Sequence, residues 1–220
     1  MLLSMNVIEL FSSIDGEGKR QGFLTTFLRL HDCNIRCSYC DTLYSYGPES
    51  TFESMSVQAV ADAIEQLENH RITITGGEPL LQEPAIIELI DELTRRNARY
   101  DFNIETNGTI IPSFHRDNVW FTYDYKTPSS LAEEAMNLDI FKVATPADII
   151  KFVVGSMQDL DRMNEILKTY PTDAQIFVSP VWGNIEGATI IEYMKAHNWQ
   201  NVRFQLQIHK FIWDPDAKGV

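Results

Sequence analysis

The sequence predicts an α/β fold on a parallel sheet, either doubly wound or a complete or incomplete (β/α) barrel. Three observations carry that expectation. Short β-rich runs alternate with stretches of helical period. Those runs are mostly apolar, as strands covered on both faces are. The chain has 220 residues without a linker, low-complexity tract or repeat, a length that suits a single domain over 1–220 with a sizeable core.

In chain order, FLTTFLRL (23–30) is the first expected strand. A helix follows at 56–68, where Val57, Val60, Ala61, Ile64 and Leu67 fall on one face behind Ser56, a suitable N-cap. RITIT (71–75) is the second strand, and an apolar stripe predicts a helix at 84–97. DFNIE (101–105) and VWFTY (119–123) are strands, and Ser130 is expected to cap a shorter helix at 131–137. IIKFVV (149–154), QIFVS (175–179) and VRFQL (202–206) complete the strands, with helices at 159–169 and 187–197 between them.

Composition narrows the function classes. Hydrophobic residues make up 44% and charged residues 22%, ordinary for a soluble globular chain. A formal charge of −13 works against a nucleic-acid partner. The start, MLLSMNVIELFSSIDGEG, has no basic segment before its apolar residues and carries Glu9 among them, unlike a secretory signal. No run reaches the ~20 apolar residues of a membrane span. A cytoplasmic location with reduced thiols is expected, without a membrane partner.

The unusual residues follow the expected strands. Three cysteines come after the first, GGEP after the second, Glu105 closes the third, Asp124 and Lys126 follow the fourth, and Ser179 and Pro180 the sixth. Strand C-termini are where α/β folds bind ligands, so one cleft can hold them all.

Cys33, Cys37 and Cys40 are the only cysteines and form C-x3-C-x2-C. Three structural thiols, a zinc site completed by His31, and an iron–sulfur cluster are the alternatives. Four thiolates are usual for a cluster. Three leave one iron open to a ligand that reacts.

With Tyr39 before Cys40 and TITGGEP downstream (73–79), this segment resembles the radical S-adenosylmethionine (SAM) superfamily. The resemblance implies a 4Fe-4S cluster whose open iron chelates the methionine moiety of SAM, and an incomplete (β/α) barrel. IDGEGKRQGFLTTFLRLHDCNIRCSYCDT, DYKTPSS and QLQIHKFIW together resemble the 7-carboxy-7-deazaguanine synthase family, from about Glu9 onward. That implies a carboxytetrahydropterin substrate, ring contraction with loss of ammonia, and no acid–base residue, the chemistry lying with cluster and SAM.

The same resemblance assigns roles. Tyr39, Asp41, Gly76, Gly77, Glu78, Glu105, Asp124, Lys126 and Ser179 are expected to bind SAM, with Glu78 accepting the methionine ammonium. Asp15, Gly16, Glu17, Arg29, Thr75, His209 and Pro215 are expected at the substrate. Arg29, a charge in an apolar run, suits the substrate carboxylate or else a rim ion pair. Glu17, between two glycines, suits the pterin N–H edge. Thr42 is expected to bind Mg²⁺, with Asp41 a second candidate and water and substrate oxygens filling the shell. Two positions depart from the family: Asp15 stands where relatives often have Gln, and Asp124 replaces a Ser. Some relatives end near Pro215 and close the site with their terminus, whereas this chain continues through DAKGV to Val220. A flavodoxin or ferredoxin electron donor and a homodimer are likewise implied. A glycyl-radical activating enzyme and a non-enzymatic zinc or iron–sulfur module are the competing functions.

Overall fold

The computed structural model describes residues 3–215 and 217–220. In chain order its elements are β1 (Ser4–Ile14), β2 (Leu24–Leu30), β3 (Glu53–Ser56), α1 (Val57–Gln66), β4 (Arg71–Gly76), α2 (Glu83–Arg96), β5 (Asp101–Thr106) and β6 (Val119–Tyr125), followed by α3 (Ile140–Val143), β7 (Ile149–Val154), α4 (Met157–Thr169), β8 (Gln175–Pro180), α5 (Gly187–Ala196), β9 (Val202–Phe204) and α6 (His209–Ile212).

The strands form one sheet in the order β3-β1-β2-β4-β5-β6-β7-β8-β9. From β2 to β9 every pair is parallel, while β1 pairs antiparallel with both β2 and β3. The parallel strands follow sequence order with no reversal, which excludes the doubly wound alternative, whose order reverses at a switch point. Crossovers of one hand send successive helices to one face. The sheet does not close, since β3 and β9 are its edges. This is an incomplete (β/α) barrel.

Strand alternation separates two environments. Ile72 and Ile74 of β4, Phe102 and Ile104 of β5, Phe121 and Tyr123 of β6 and Ile150 and Phe152 of β7 belong to the apolar core. Against them pack Val57, Val60, Ala61 and Ile64 of α1 and Ile86, Leu89 and Leu93 of α2. The alternate residues Thr75, Glu105, Thr122, Asp124 and Lys151 line a cavity on the other face. The strands therefore read apolar toward the helices and polar toward the lumen.

Most expected elements lie within a residue or two of the observed ones, and Ser56 caps α1 by accepting from Ala59 N at 3.2 Å. The helix expected at 131–137 is absent. Leu131 takes a left-handed φ of 59°, which breaks the segment into single 3-10 turns at Pro128–Ser130 and Glu133–Ala135. Ser130 ends the first turn rather than starting a helix. The expected strand 202–206 is shorter, ending at Phe204. β1 and β3 were not anticipated, because β1 mixes polar residues with apolar ones and carries a register shift between Val7 and Glu9. Among the described residues no helix is long and apolar enough to cross a membrane.

Candidate active site

Cys33, Cys37 and Cys40 sit in the loop after β2, half-buried and unpaired, and all three line the cavity. The loop is seated on the end of β4: Gly77 N donates to Leu30 O (3.2 Å) and Glu78 N to Asp32 O (2.7 Å). A Cβ on Gly76 would lie 2.3 Å from Leu30 O, and one on Gly77 2.0 Å from Asp32 O. Both glycines let two backbones touch, so their first task is to hold the cysteine loop. Arg36 clamps it from within by donating to the Cys33 and Ile35 carbonyls. Asn107 donates to Asn34 Oδ1 at 2.9 Å and lies 3.8 Å from Cys33 Sγ.

Burial pushes the Cys33 thiol up, and Cys37 up to about 11. Thiolates are the ligand form, so loading a metal here releases protons. Among the described residues no three His, Cys, Asp or Glu side chains converge on a single-ion site. A polynuclear cluster, which interposes its own sulfides, spaces its thiolates farther apart. A second feature fits a bound cofactor: Asp124 Oδ1 is buried with no hydrogen-bond partner, in a residue lining the same cavity. Such an orphaned acceptor suits a ligand hydroxyl. Its other oxygen lies 3.1 Å from Lys126 Nζ and 3.5 Å from Lys151 Nζ. Burial opposes the charge on Lys126, but Asp124 outweighs it and raises its pKa. Tyr39 lines the cavity, its hydroxyl 3.3 Å from Val153 O.

Two residues expected at SAM have partners within the chain. The Glu78 side chain is fully buried and serves Leu80 N (2.9 Å), Thr106 Oγ1 (2.9 Å) and Asn107 N (2.7 Å). Its carboxylate ties the GGEP turn to the end of β5. Ser179 is also fully buried, and its hydroxyl lies 3.3 Å from Glu17 Oε1.

The loop between β1 and β2 folds across the N-terminal end of the lumen. Arg20 donates to Ile72 O and pairs with Asp101 at the starts of β4 and β5, stacking on Trp120. Lys19 reaches Ala147 O, just before β7. Glu17 points inward and accepts from Lys151 Nζ (3.1 Å), Ser179 Oγ (3.3 Å), Gln205 Nε2 (3.4 Å) and Gln207 Nε2 (3.2 Å). Gly16 is required by His209: a Cβ there would lie 2.0 Å from Nδ1. Burial lowers the pKa of that imidazole, favouring its neutral form.

Arg29 is held by Glu9, whose Oε1 accepts from Nε at 2.6 Å and from Tyr44 Oη at 2.9 Å. Neither terminal nitrogen of Arg29 has a hydrogen-bond partner among the described residues, and the residue lines the cavity. The ion pair thus orients the fork without consuming it. Thr75 and Glu105 line the lumen beside it; burial raises Glu105, against Lys151 and Arg29. Thr42 Oγ1 donates to Asp41 Oδ1 (2.9 Å), and Asp41 Oδ2 lies 3.5 Å from Lys210 Nζ. Asp41 is more than half exposed, and Lys210, Thr42 and Arg29 lower its pKa. Pro215, Ala217, Gly219 and Val220 also line the cavity, and Lys218 sits over the Tyr44 ring; Asp216 of this tail lies outside the described residues.

Sequence reasoning missed Lys151, Gln205, Gln207 and Glu9. Lys151 carried the same signal as Arg29, a lone charge inside an apolar strand.

Asp15 gives a pH prediction. Burial, then the nearby Glu105, push its carboxyl up to about 7, against Glu17 N–H, Arg20 and Thr73. The unfolded value is ~3.9, so the protonated form stabilises the fold. That contribution is complete below about pH 4 and is lost as pH rises through about 7. Asp15→Asn removes the titration. Urea unfolding at several pH values is expected to show wild type losing a few kcal/mol relative to the variant between about pH 4 and about pH 7. A gap constant with pH would show that Asp15 does not carry the proton.

Comparison with known proteins points the same way. The model of the Radical SAM superfamily matches residues 29–153. The 7-carboxy-7-deazaguanine synthase of Clostridium acetobutylicum is 37% identical over 99% of this chain and 100% of its own length. The Leptospira interrogans protein of the same name is 36% identical, covering 99% of each chain. The crystal structure of QueE from Escherichia coli superposes with a TM-score of 0.70 over 92% of this chain and 93% of that one, at 24% identity, a likeness of fold.

Proposed function

The chain belongs to the 7-carboxy-7-deazaguanine synthase family of the radical SAM superfamily, and from that premise we propose how its cavity serves the reaction. The reaction is ring contraction of 6-carboxy-5,6,7,8-tetrahydropterin to 7-carboxy-7-deazaguanine with loss of ammonia, a step of queuosine and deazapurine biosynthesis. The observation that carries the proposal is the convergence of the three cysteines, Asp124 with Lys126, and Arg29 with Glu17 on one cavity.

Cys33, Cys37 and Cys40 would hold the 4Fe-4S cluster. When bound, cluster and SAM would supply the radical chemistry that begins with removal of hydrogen from C6 of the substrate. The chain's own residues bind, orient and exclude water. On the SAM side, Lys126 and Asp124 face the cofactor, the orphaned Oδ1 accepting from a ribose hydroxyl. Tyr39 packs beside the adenine, and the GGEP segment meets the methionine end, the backbone of Gly76 and Gly77 approaching it closely and Glu78 serving its ammonium.

On the substrate side, the terminal nitrogens of Arg29 grip the carboxylate in a two-pronged contact, while Glu17 accepts from the pterin N–H edge. Thr75, Glu105, His209 and Pro215 bound the ring. Thr42 and Asp41 would hold Mg²⁺, supplying one hydroxyl and one carboxylate, with substrate oxygens and water needed for the remaining positions. Lys210 lies 3.5 Å from the same carboxylate. A flavodoxin or ferredoxin supplies the electron, a homodimer is the assembly, and three unpaired thiols suit a reducing cytoplasm.

The test is a single anaerobic turnover of reconstituted protein with SAM, a reductant and the carboxytetrahydropterin, followed by mass detection. The proposal predicts the deazapurine. Formation of 5′-deoxyadenosine with no deazapurine, or radical transfer to a polypeptide glycine, would contradict it.

A further inference from the structure

Lys151 occupies the middle of β7, whose six residues are all buried. Ile150 and Phe152 on either side belong to the core, and alternation turns Lys151 into the lumen. Its ammonium lies 3.1 Å from Glu17 Oε2 and 3.5 Å from Asp124 Oδ2. Burial alone would discharge a lysine, but Glu17, Asp124 and Glu105 reverse that and hold it cationic. A buried charge costs more than an apolar side chain of similar size, so stability is a poor reason for a lysine here. Glu17's other donors, Ser179, Gln205 and Gln207, are neutral and sit 3.2–3.4 Å away. Lys151 is its salt-bridge partner, and β6–β7 pairing sets Lys151 directly beside Asp124.

We propose that Lys151 is a positioning residue for the pterin: its ammonium fixes the Glu17 carboxylate that receives the substrate's N–H edge, and ties it through Asp124 to the SAM side. This rests on the assignment of Glu17 to the substrate. Charged groups acting on or influenced by Lys151 are Glu17 from the β1–β2 loop, Glu105 from β5, Asp124 from β6 and Lys126 just after it, Asp41 from the loop after β2, and His209 from α6. Without the cation, only the neutral donors Ser179, Gln205 and Gln207 hold the Glu17 carboxylate. The substrate then meets an acceptor that is no longer fixed in place.

The experiment compares Lys151→Met, Lys151→Arg, Glu17→Gln and the Met/Gln double variant in the reconstituted holoenzyme. It measures KM, kcat and the calorimetric dissociation constant of the carboxytetrahydropterin. Lys151→Met is expected to raise both KM and the dissociation constant about 30-fold, with kcat changed by less than about threefold. Lys151→Arg restores most of the affinity, and the double variant is no worse than Glu17→Gln. Unchanged substrate affinity in Lys151→Met, or a loss of affinity that Lys151→Arg does not restore and that comes with a lowered Tm, would reduce Lys151 to packing and overturn the proposal. Unchanged substrate affinity in Glu17→Gln, in an enzyme that still makes the deazapurine, would overturn it through Glu17 while leaving the family reaction intact.

Discussion

Cys37→Ala is expected to abolish SAM cleavage while leaving the fold in place. The side chain lines the cavity and makes no hydrogen bond among those of the described residues, so alanine costs the core little. On the proposed function its contribution is to the cluster. Removing a partner of a metal ligand costs 10–100-fold, and removing one of three ligands is expected to cost more, about a thousandfold or beyond. Anaerobic reconstitution should give iron and acid-labile sulfide well below wild type, with no 5′-deoxyadenosine above background. Far-UV circular dichroism and Tm of the unloaded protein should match wild type. Retained cleavage by the variant would be incompatible with a three-cysteine cluster.

Arg29→Ala has the second-largest expected effect. Glu9 holds Nε, and the two terminal nitrogens remain for the ligand. Loss of the fork leaves the substrate carboxylate unpaired in a desolvated site and Glu9 without its cation, a penalty of about 3 kcal/mol or more. kcat/KM should fall 100-fold or more, mostly through KM. Arg29→Lys should recover only part, because an ammonium is a point charge and cannot grip a carboxylate at two points. Initial rates against substrate concentration decide the matter. Full recovery with Lys would show that charge alone is needed.

The sequence reveals the helix-facing side of the barrel best. Ile72, Ile74, Phe102, Ile104, Ile150 and Phe152 are apolar because they pack on α1, α2 and their neighbours, and the stripe of α1 was readable at single-residue precision. Sequence shows the lumen side only where a charge interrupts an apolar run. Arg29 was found on that signal, and Lys151 bears it equally. Glu17's partners were invisible, since Ser179, Gln205 and Gln207 lie more than 160 residues away and nothing local marks them.

Other differences have local causes. Ser130 followed by an Ala- and Glu-rich stretch favours a helix on propensity, yet Leu131 adopts a left-handed conformation and Ser38 N bonds to Ser130 O, tying that turn to the cysteine loop. Tertiary contact outweighs propensity there. The GGEP segment packs on the cysteine loop, and its glutamate bonds Thr106 and Asn107. A motif fixes the position of a residue, whereas the direction of its side chain depends on the neighbouring strand.

The most direct measurement is electron paramagnetic resonance of the anaerobically reconstituted, reduced protein before and after adding SAM labelled with nitrogen-15 at the amino group. Coordination of the open iron by SAM predicts a shifted cluster signal with hyperfine coupling to the label. An unshifted signal with no coupling, from a cluster whose fourth iron is held by a side chain of this protein, would contradict it.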